Sequence, residues 1–157
     1  MTDHESAERL RAVVWLRDPS PPPDDPRRAV LSRLRELDST GDLSDVSVQI
    51  WGKSVAASGT KIRDTDRPVR KRVADFRRWA ERHDRSLEPA FEWCDRATIL
   101  SEERTEVVRL PLVCVAIYDD DRLIGVFPHS TGDGTETVDD CLDRIETGVL
   151  AGDLVSE

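Results

Sequence analysis

Two apolar stretches joined by three aspartates constrain the fold of this chain more than any other feature. Residues 112–118 and 123–127 consist almost wholly of apolar side chains, and Asp119, Asp120 and Asp121 lie at the turn between them. Short apolar runs separated by a polar turn are typical of a β-hairpin. Because both runs are apolar at nearly every position, we expect both faces of these strands to be covered, as in a sheet with helices on each side.

The sequence upstream of this hairpin alternates strand-like and helix-like segments. Residues 10–17 are apolar and rich in β-forming side chains, and residues 46–51 alternate apolar with polar positions, so both are predicted strands. Apolar residues recur at helical spacing in residues 26–39 and again in residues 67–83, which predicts two amphipathic helices. After the hairpin, Thr137 is followed by acidic residues and predicts a capped final helix.

The remaining segments carry weaker patterns. Residues 91–100 contain aromatic and β-branched side chains and are interpreted as a further strand, and residues 102–104 are interpreted as a turn. Residues 52–66 and 130–137 are predicted to be loops. The element order is therefore β-α-β-α-(β)-β-β-α, which predicts an α/β fold with a central mixed sheet flanked by helices.

Length and hydropathy bound the organisation of the chain. Its 157 residues have the length of one domain, and we expect a single α/β domain over residues 9–150 with flexible ends at residues 1–8 and 151–157. No stretch approaches the roughly 20 apolar residues of a transmembrane helix. The N-terminus is acidic and polar, whereas a signal peptide begins with basic and then apolar residues. These observations predict a cytoplasmic protein without a membrane partner.

The predicted element order resembles that of thioredoxin-like domains, with Pro111 at the entry of the hairpin. This resemblance implies a thioredoxin-like fold over most of the chain and a cis peptide bond before Pro111. The loop in which such domains carry reactive cysteines corresponds to residues 18–26, Asp-Pro-Ser-Pro-Pro-Pro-Asp-Asp-Pro, and contains no cysteine. The resemblance therefore implies the scaffold without its redox catalysis.

A second resemblance rests on short motifs. The chain is similar to a group of small haloarchaeal proteins in Ile-Trp-Gly at 50–52, in Phe76 and Trp79 on one helix, in Ser-Leu-Glu-Pro at 86–89 and in Val-Phe-Pro at 126–128. Such proteins are sometimes described as helix-turn-helix proteins. That description implies a DNA-binding function.

The charge composition also resembles that of proteins from salt-loving archaea. The net charge is -9, and lysine occurs only at Lys53, Lys61 and Lys71 among 23 basic residues. Carboxylates hold water and counterions in concentrated salt, and lysine is the residue that such proteins lose. GC-rich coding is an alternative explanation for the preference for arginine over lysine.

The cysteine pattern excludes several kinds of chemistry. Cys94, Cys114 and Cys141 are odd in number and widely spaced, so they form neither a Cys-x-x-Cys redox pair nor a paired zinc motif. We expect Cys114 and Cys141 to be buried thiols. His129, Ser130 and Asp133 lie too close in sequence for a typical catalytic triad. We therefore predict no metal and no cofactor and assign no catalytic residues. An enzyme that uses the segment 87–109 and His129 is a further alternative.

The main candidate site is the second predicted helix. Residues 61–85 contain ten basic and five acidic residues, which gives this segment a net charge of +5 in an acidic chain. At about 100° per residue, one stripe of basic side chains covers an arc of roughly 60° opposite the apolar residues Val73, Phe76 and Ala80. This stripe consists of Arg67, Lys71, Arg78, Arg82 and Arg85. Trp79, on the same helix, is the sixth predicted binding residue.

Two functions fit such a stripe, and an ordinary solvated helix face also does. The favoured hypothesis is a non-catalytic binding or regulatory module that contacts a protein partner, with a homodimer as one form. The alternative is a DNA-associated transcriptional regulator that uses the same helix. In molar salt the screening length is about 3 Å, which weakens phosphate-driven binding and favours a protein contact that also buries Trp79.

Overall fold

Nine strands and three helices make up the part of the chain that the computed structural model describes, which comprises residues 10–17, 23–58, 62–98 and 101–148. In chain order these elements are β1 (Leu10–Leu16), α1 (Pro26–Thr40), β2 (Asp45–Ile50), β3 (Ser54–Ala56), α2 (Arg67–Arg82), β4 (Glu92–Thr98), β5 (Ser101–Arg109), β6 (Val113–Asp119), β7 (Arg122–Phe127), β8 (His129–Thr131), β9 (Gly134–Glu136) and α3 (Val138–Thr147).

A mixed four-stranded sheet lies at the centre of the fold. Its strand order is β2-β1-β6-β7, with β2 parallel to β1 and with antiparallel pairing from β1 to β6 and from β6 to β7. The crossover through α1 makes the first pair parallel, and the short Asp120–Asp121 turn makes the last pair antiparallel. The predicted α/β fold with a central mixed sheet flanked by helices is confirmed.

The two faces of this sheet are covered by different helices. Arg11 and Trp15 of β1 lie on the same face as Tyr118 of β6, and this face is covered by α2. The helices α1 and α3 pack against each other and cover β2 and β6 on the other face. Because both faces are covered, Cys114 to Tyr118 are buried at every position, as the apolar run predicted.

The helix ends follow their local sequence signals. Asp25 caps α1 by accepting a hydrogen bond from the backbone N–H of Arg27 at 2.9 Å, and Gly41 ends the helix with a positive φ of 88°. The hydrogen bonds from Arg27 lower the pKa of Asp25 to about 2. At α3, Thr137 and Asp140 form the reciprocal hydrogen bonds of a capping box.

A second, antiparallel sheet with the order β3-β5-β4 corrects two predictions. Residues 102–104 are not a turn, because β5 runs through them and pairs with β4. Residues 52–66 are not entirely a loop, because they contain β3, which pairs with the distant β5. In both cases long-range pairing overrides the local preference of charged and polar residues for turns. The predicted loop at 130–137 also contains a small hairpin, β8–β9.

Other expectations are corrected or stay open. The cis peptide bonds of the described residues precede Pro89 and Pro128, so the expected cis bond at Pro111 is not found. The predicted flexible ends at 1–8 and 151–157 lie outside the described residues. The single domain over 9–150 and the thioredoxin-like resemblance stay predictions.

An aromatic cluster joins the central sheet to α2, and Trp93 of β4 stacks on its Phe91 ring. The Trp15 and Trp51 rings stack with centroids 5.2 Å apart, Trp51 meets the edge of Phe91 at 5.8 Å, and Phe91 meets Phe76 of α2 at 6.5 Å. Trp15 and Trp51 are both buried. They therefore hold the core together and do not mark an exposed interface.

Replacing the central ring of this cluster should destabilise the fold strongly. Phe91→Ala removes the ring that packs on both Trp51 and Phe76 and leaves a cavity, so we expect the free energy of unfolding to fall by about 3–5 kcal/mol. Urea unfolding monitored by circular dichroism measures this change. The control is Leu112→Ala at a 50% exposed position, for which we expect less than about 0.5 kcal/mol. Equal destabilisation in the two variants would contradict the central place of Phe91.

Candidate nucleic-acid interface

The amphipathic pattern of α2 fixes which side of the helix faces solvent. Val69, Val73, Phe76 and Ala80 are buried, and the helix packs on β7 and β3 through this side. Pro68 lies in the first turn of α2. Backbone N–H groups in the first turn have no acceptor within the helix, so proline costs no helical hydrogen bond there. Burial of the apolar side directs the charged side of α2 outward.

The structure places four of the five stripe residues on the outer side of α2. Arg67, Lys71, Arg78 and Arg82 are all exposed. We call these four residues the basic row.

Arg85 does not extend the basic row, because α2 ends at Arg82 and the chain then turns through Asp84 at a φ of 55°. The backbone N–H of Arg85 donates to the Ala80 carbonyl, and its guanidinium donates to the His83 carbonyl at 2.9 Å. The helical spacing that placed Arg85 in the stripe therefore does not hold at this position.

Trp79 packs inside the protein and does not present its ring to solvent. It is 4% exposed, and its ring stacks on His83 at 5.3 Å and meets the edge of His129 at 5.2 Å. A partner protein therefore has little of this ring left to bury. Trp79 contributes to the site by holding the C-terminal half of α2 in place.

Acidic neighbours compensate part of the basic row. Asp75 forms an ion pair with Arg78 and a longer one of 3.9 Å with Arg72, and Asp64 lies 3.5 Å from Arg67. Within the described residues, Lys71 and Arg82 form no ion pair. Exposed ion pairs of this kind are worth about 0–1 kcal/mol, so a polyanion can displace them.

A cleft lies beside α2 where the helix meets the β6–β7 hairpin. Its volume is about 590 Å³, and its floor includes Leu123 and Ile124. Arg72 donates to the Tyr118 hydroxyl at 3.3 Å across this cleft, and burial raises the pKa of Tyr118. The cleft is lined by four arginines and only two aspartates, namely Arg72, Arg78, Arg82, Arg122, Asp75 and Asp121.

A second cleft, of about 300 Å³, lies between α2 and the three-stranded sheet. On this side the guanidinium of Arg77 lies over the Trp93 ring, 4.5 Å from its centroid. With a cleft on each side, α2 forms a ridge. Sequence reasoning missed both clefts, because their walls come from elements that only tertiary pairing brings together.

Cys114, Cys141 and His129 are buried in the core and are not exposed on this ridge. Burial raises the pKa values of the Cys114 and Cys141 thiols. His129 is 2% exposed and donates from Nδ1 to the Val126 carbonyl at 2.6 Å, and burial lowers its pKa. Within residues 10–17, 23–58, 62–98 and 101–148, no group of His, Cys, Asp and Glu side chains is arranged to hold a metal ion.

Comparison with known proteins assigns the family. Residues 4–149 match the family described as a helix-turn-helix domain, so the chain belongs to that family. No curated protein and no solved structure matches the chain. None of the helices in the described ranges is long and apolar enough to cross a bilayer.

The helices nevertheless do not form a helix-turn-helix motif in the part of the chain described. That motif needs two helices joined by a turn of three or four residues. Here β2 and β3 lie between α1 and α2, and six strands lie between α2 and α3. Membership of the family points to a DNA-binding regulator as a class. The described structure offers one exposed basic helix, α2, in place of a helix-turn-helix motif.

The buried His129 should make stability depend on pH. Its folded pKa lies below the ordinary value of 6.5, so the unfolded chain takes up the proton first as the pH falls. The free energy of unfolding should be unaffected well above pH 6.5 and should fall below it, by up to about 1.4 kcal/mol per pH unit. Once the pH lies below the pKa of His129 in the folded protein, both states carry the proton and His129 causes no further fall in the free energy of unfolding. The charges of Arg85 and Arg144 also lower the pKa of His129, and the charge of Glu136 raises it, each with a smaller effect than burial.

Urea unfolding between pH 7 and pH 5 tests this dependence. His129→Asn keeps a side-chain donor for the Val126 carbonyl but does not titrate, so its stability should fall less steeply than that of the wild type. The control is His83→Asn, which replaces the histidine that stacks on the Trp79 ring. This variant keeps His129, so its stability should fall with pH as steeply as that of the wild type. Identical slopes for wild type and His129→Asn would show that the proton uptake occurs elsewhere.

Proposed function

We propose that this protein is a DNA-associated regulator that contacts the duplex backbone with the basic row of α2. The observation that carries the proposal is the exposure of four basic side chains along one side of a single helix. Membership of the helix-turn-helix domain family supports the choice of DNA over other polyanions. The contact itself differs from a helix-turn-helix contact, because α2 acts without a partner helix beside it.

The dimensions of α2 suit this contact. Its basic row runs from Arg67 to Arg82, which corresponds to about 22 Å of helix at 1.5 Å per residue. A major groove about 12 Å wide accepts one helix, and the clefts on both sides of α2 leave room for the groove walls. Arginine and lysine at these positions contact phosphates, which give affinity and orientation and carry no sequence information.

The rest of the surface helps to orient the protein. The chain carries a net charge of -9 although α2 is strongly basic, so a duplex repels an acidic surface and attracts the ridge. Lys71 and Arg82 offer their charges directly. Arg78 must first exchange its Asp75 partner for a phosphate.

Binding should therefore weaken with salt in proportion to the number of phosphates that the protein neutralises. Lys71→Gln/Arg82→Gln removes two charges of the basic row, so the slope of log K against log salt should become shallower by about 0.9 for each phosphate that is no longer neutralised. Fluorescence anisotropy with a labelled duplex, in a KCl series that extends to molar concentration, measures the slope.

The matched control is Arg28→Gln/Arg35→Gln, which removes two exposed charges from α1 on the opposite face of the central sheet. This control should leave the slope unchanged. Equal effects of the two double variants would mean that binding depends on overall charge alone, and the proposal for α2 would be wrong.

A protein partner with an acidic segment is the second candidate, and the cleft beside the β6–β7 hairpin favours it. This cleft combines an apolar floor at Leu123 and Ile124 with four arginines, a combination that suits an extended acidic peptide. Arg122→Gln should weaken binding of a labelled Glu- and Leu-containing peptide. Lys71 belongs to the basic row but does not line this cleft, so Lys71→Gln should weaken DNA binding and leave peptide binding unaltered.

A further inference from the structure

The central sheet has an open edge at β2. Within the described residues, β2 pairs with β1 on one side and with no strand on the other. Val48 and Ile50 of this strand are 44% and 43% exposed. An open edge with exposed apolar side chains is a template for another strand.

The backbone of β2 is arranged for such pairing. Trp51, directly after β2, donates its backbone N–H to the Leu16 carbonyl of β1 at 2.9 Å. Along a strand, successive residues direct their backbone groups to opposite sides. Odd-numbered residues of β2 therefore bond to β1, and Val46, Val48 and Ile50 direct their N–H and C=O groups to the open edge.

Self-pairing of this edge is restricted to few registers. Directly opposed residues of an antiparallel pair project to the same face of the sheet, and successive residues of a strand alternate between the two faces. An even-numbered residue of one copy must therefore lie opposite an even-numbered residue of the other, and an odd-numbered residue opposite an odd-numbered one. When the two-fold axis passes at Gln49, Val48 of each copy lies opposite Ile50 of the other. The same register brings Asp45 of each copy towards Lys53 of the other, whereas an axis at Val48 would place Asp45 opposite Trp51.

We propose that two copies of this protein associate through antiparallel pairing of their β2 strands about a two-fold axis at Gln49. The two central sheets then form one sheet of eight strands, with the exposed apolar side chains of the edge covered in pairs. Opposite charges at both ends of the contact select this register over its neighbours.

This dimer places both basic rows on one surface. The two-fold axis of an antiparallel pair is perpendicular to the sheet, so equivalent faces of the two copies point in the same direction. Ser47 and Gln49 share a cleft with Pro68 and Arg72, so the N-terminal end of α2 lies over β2 and close to the axis. Two α2 helices then extend from the centre of one face, which is suited to bivalent contact with a single duplex.

Sedimentation velocity over a wide protein concentration range tests the association without DNA. Wild type should dimerise, and Ile50→Lys should shift the dissociation constant upward at least tenfold, because it places a charge against the apolar Val48 side chain of the other copy. The control Leu112→Lys adds a charge at an exposed apolar position away from β2 and should leave the dimer intact. A wild type that stays monomeric at all concentrations, or loss of the dimer in the control alone, would overturn the proposal.

A charge exchange tests the register. Asp45→Lys and Lys53→Asp should each weaken the dimer by bringing like charges together, and the double variant should restore it. Failure of the double variant to recover affinity would overturn the Gln49 register. These exchanges leave the apolar contacts of Val48 and Ile50 unchanged, so misfolding does not explain a rescued dimer.

The bivalent contact rests on the proposed function, whereas the dimer does not. Ile50→Lys should lower the affinity for a labelled duplex and roughly halve the salt slope, since each complex then holds one basic row instead of two. Lys71→Gln/Arg82→Gln should weaken DNA binding while leaving the dimer intact by sedimentation. A dimer without DNA binding would overturn the proposed function alone, and DNA binding with an unchanged slope in Ile50→Lys would overturn the bivalent contact.

Discussion

The burial of one side of α2 against an aromatic cluster is the interaction on which the rest of the structure depends. Phe76 contacts Phe91, which contacts Trp51, which stacks on Trp15 of the central sheet. This chain of rings connects α2 with the central sheet, and the stacking of Trp93 on Phe91 connects it with β4. Because the apolar side of α2 is held there, its basic side has only one direction in which to point. Packing in the core therefore determines which way the basic side of α2 faces.

Much of the fold could be predicted from local sequence patterns. The ends of α1 and α3 follow from Asp25, Gly41 and the Thr137 capping box, and the central hairpin follows from its apolar runs. The parallel pairing of β1 and β2 follows from the helix between them. Each of these features depends on residues that are close together in the chain.

Features that depend on distant residues could not be predicted in the same way. The strand β3 has three residues and exists because β5 pairs with it, so its sequence alone resembles a loop. Helical spacing correctly placed Arg67, Lys71, Arg78 and Arg82 on one side of α2, but it could not show where the helix ends. The contribution of Arg72, Tyr118 and Arg122 to one cleft requires the packing of α2 on β7, and no local pattern indicates it.

The bulge at the other edge of the central sheet bears on how large an assembly can grow. Ile117 and Tyr118 of β6 pair with Gly125 and Leu123, so Ile124 of β7 is the extra residue of a bulge. β7 is the strand that forms the second edge. A bulge bends and twists a strand, which makes it a poor template for a further chain. Pairing at β2 alone is closed by its two-fold symmetry, whereas pairing of β2 with β7 would continue without limit. The irregular β7 edge therefore disfavours growth of the sheet beyond the proposed dimer.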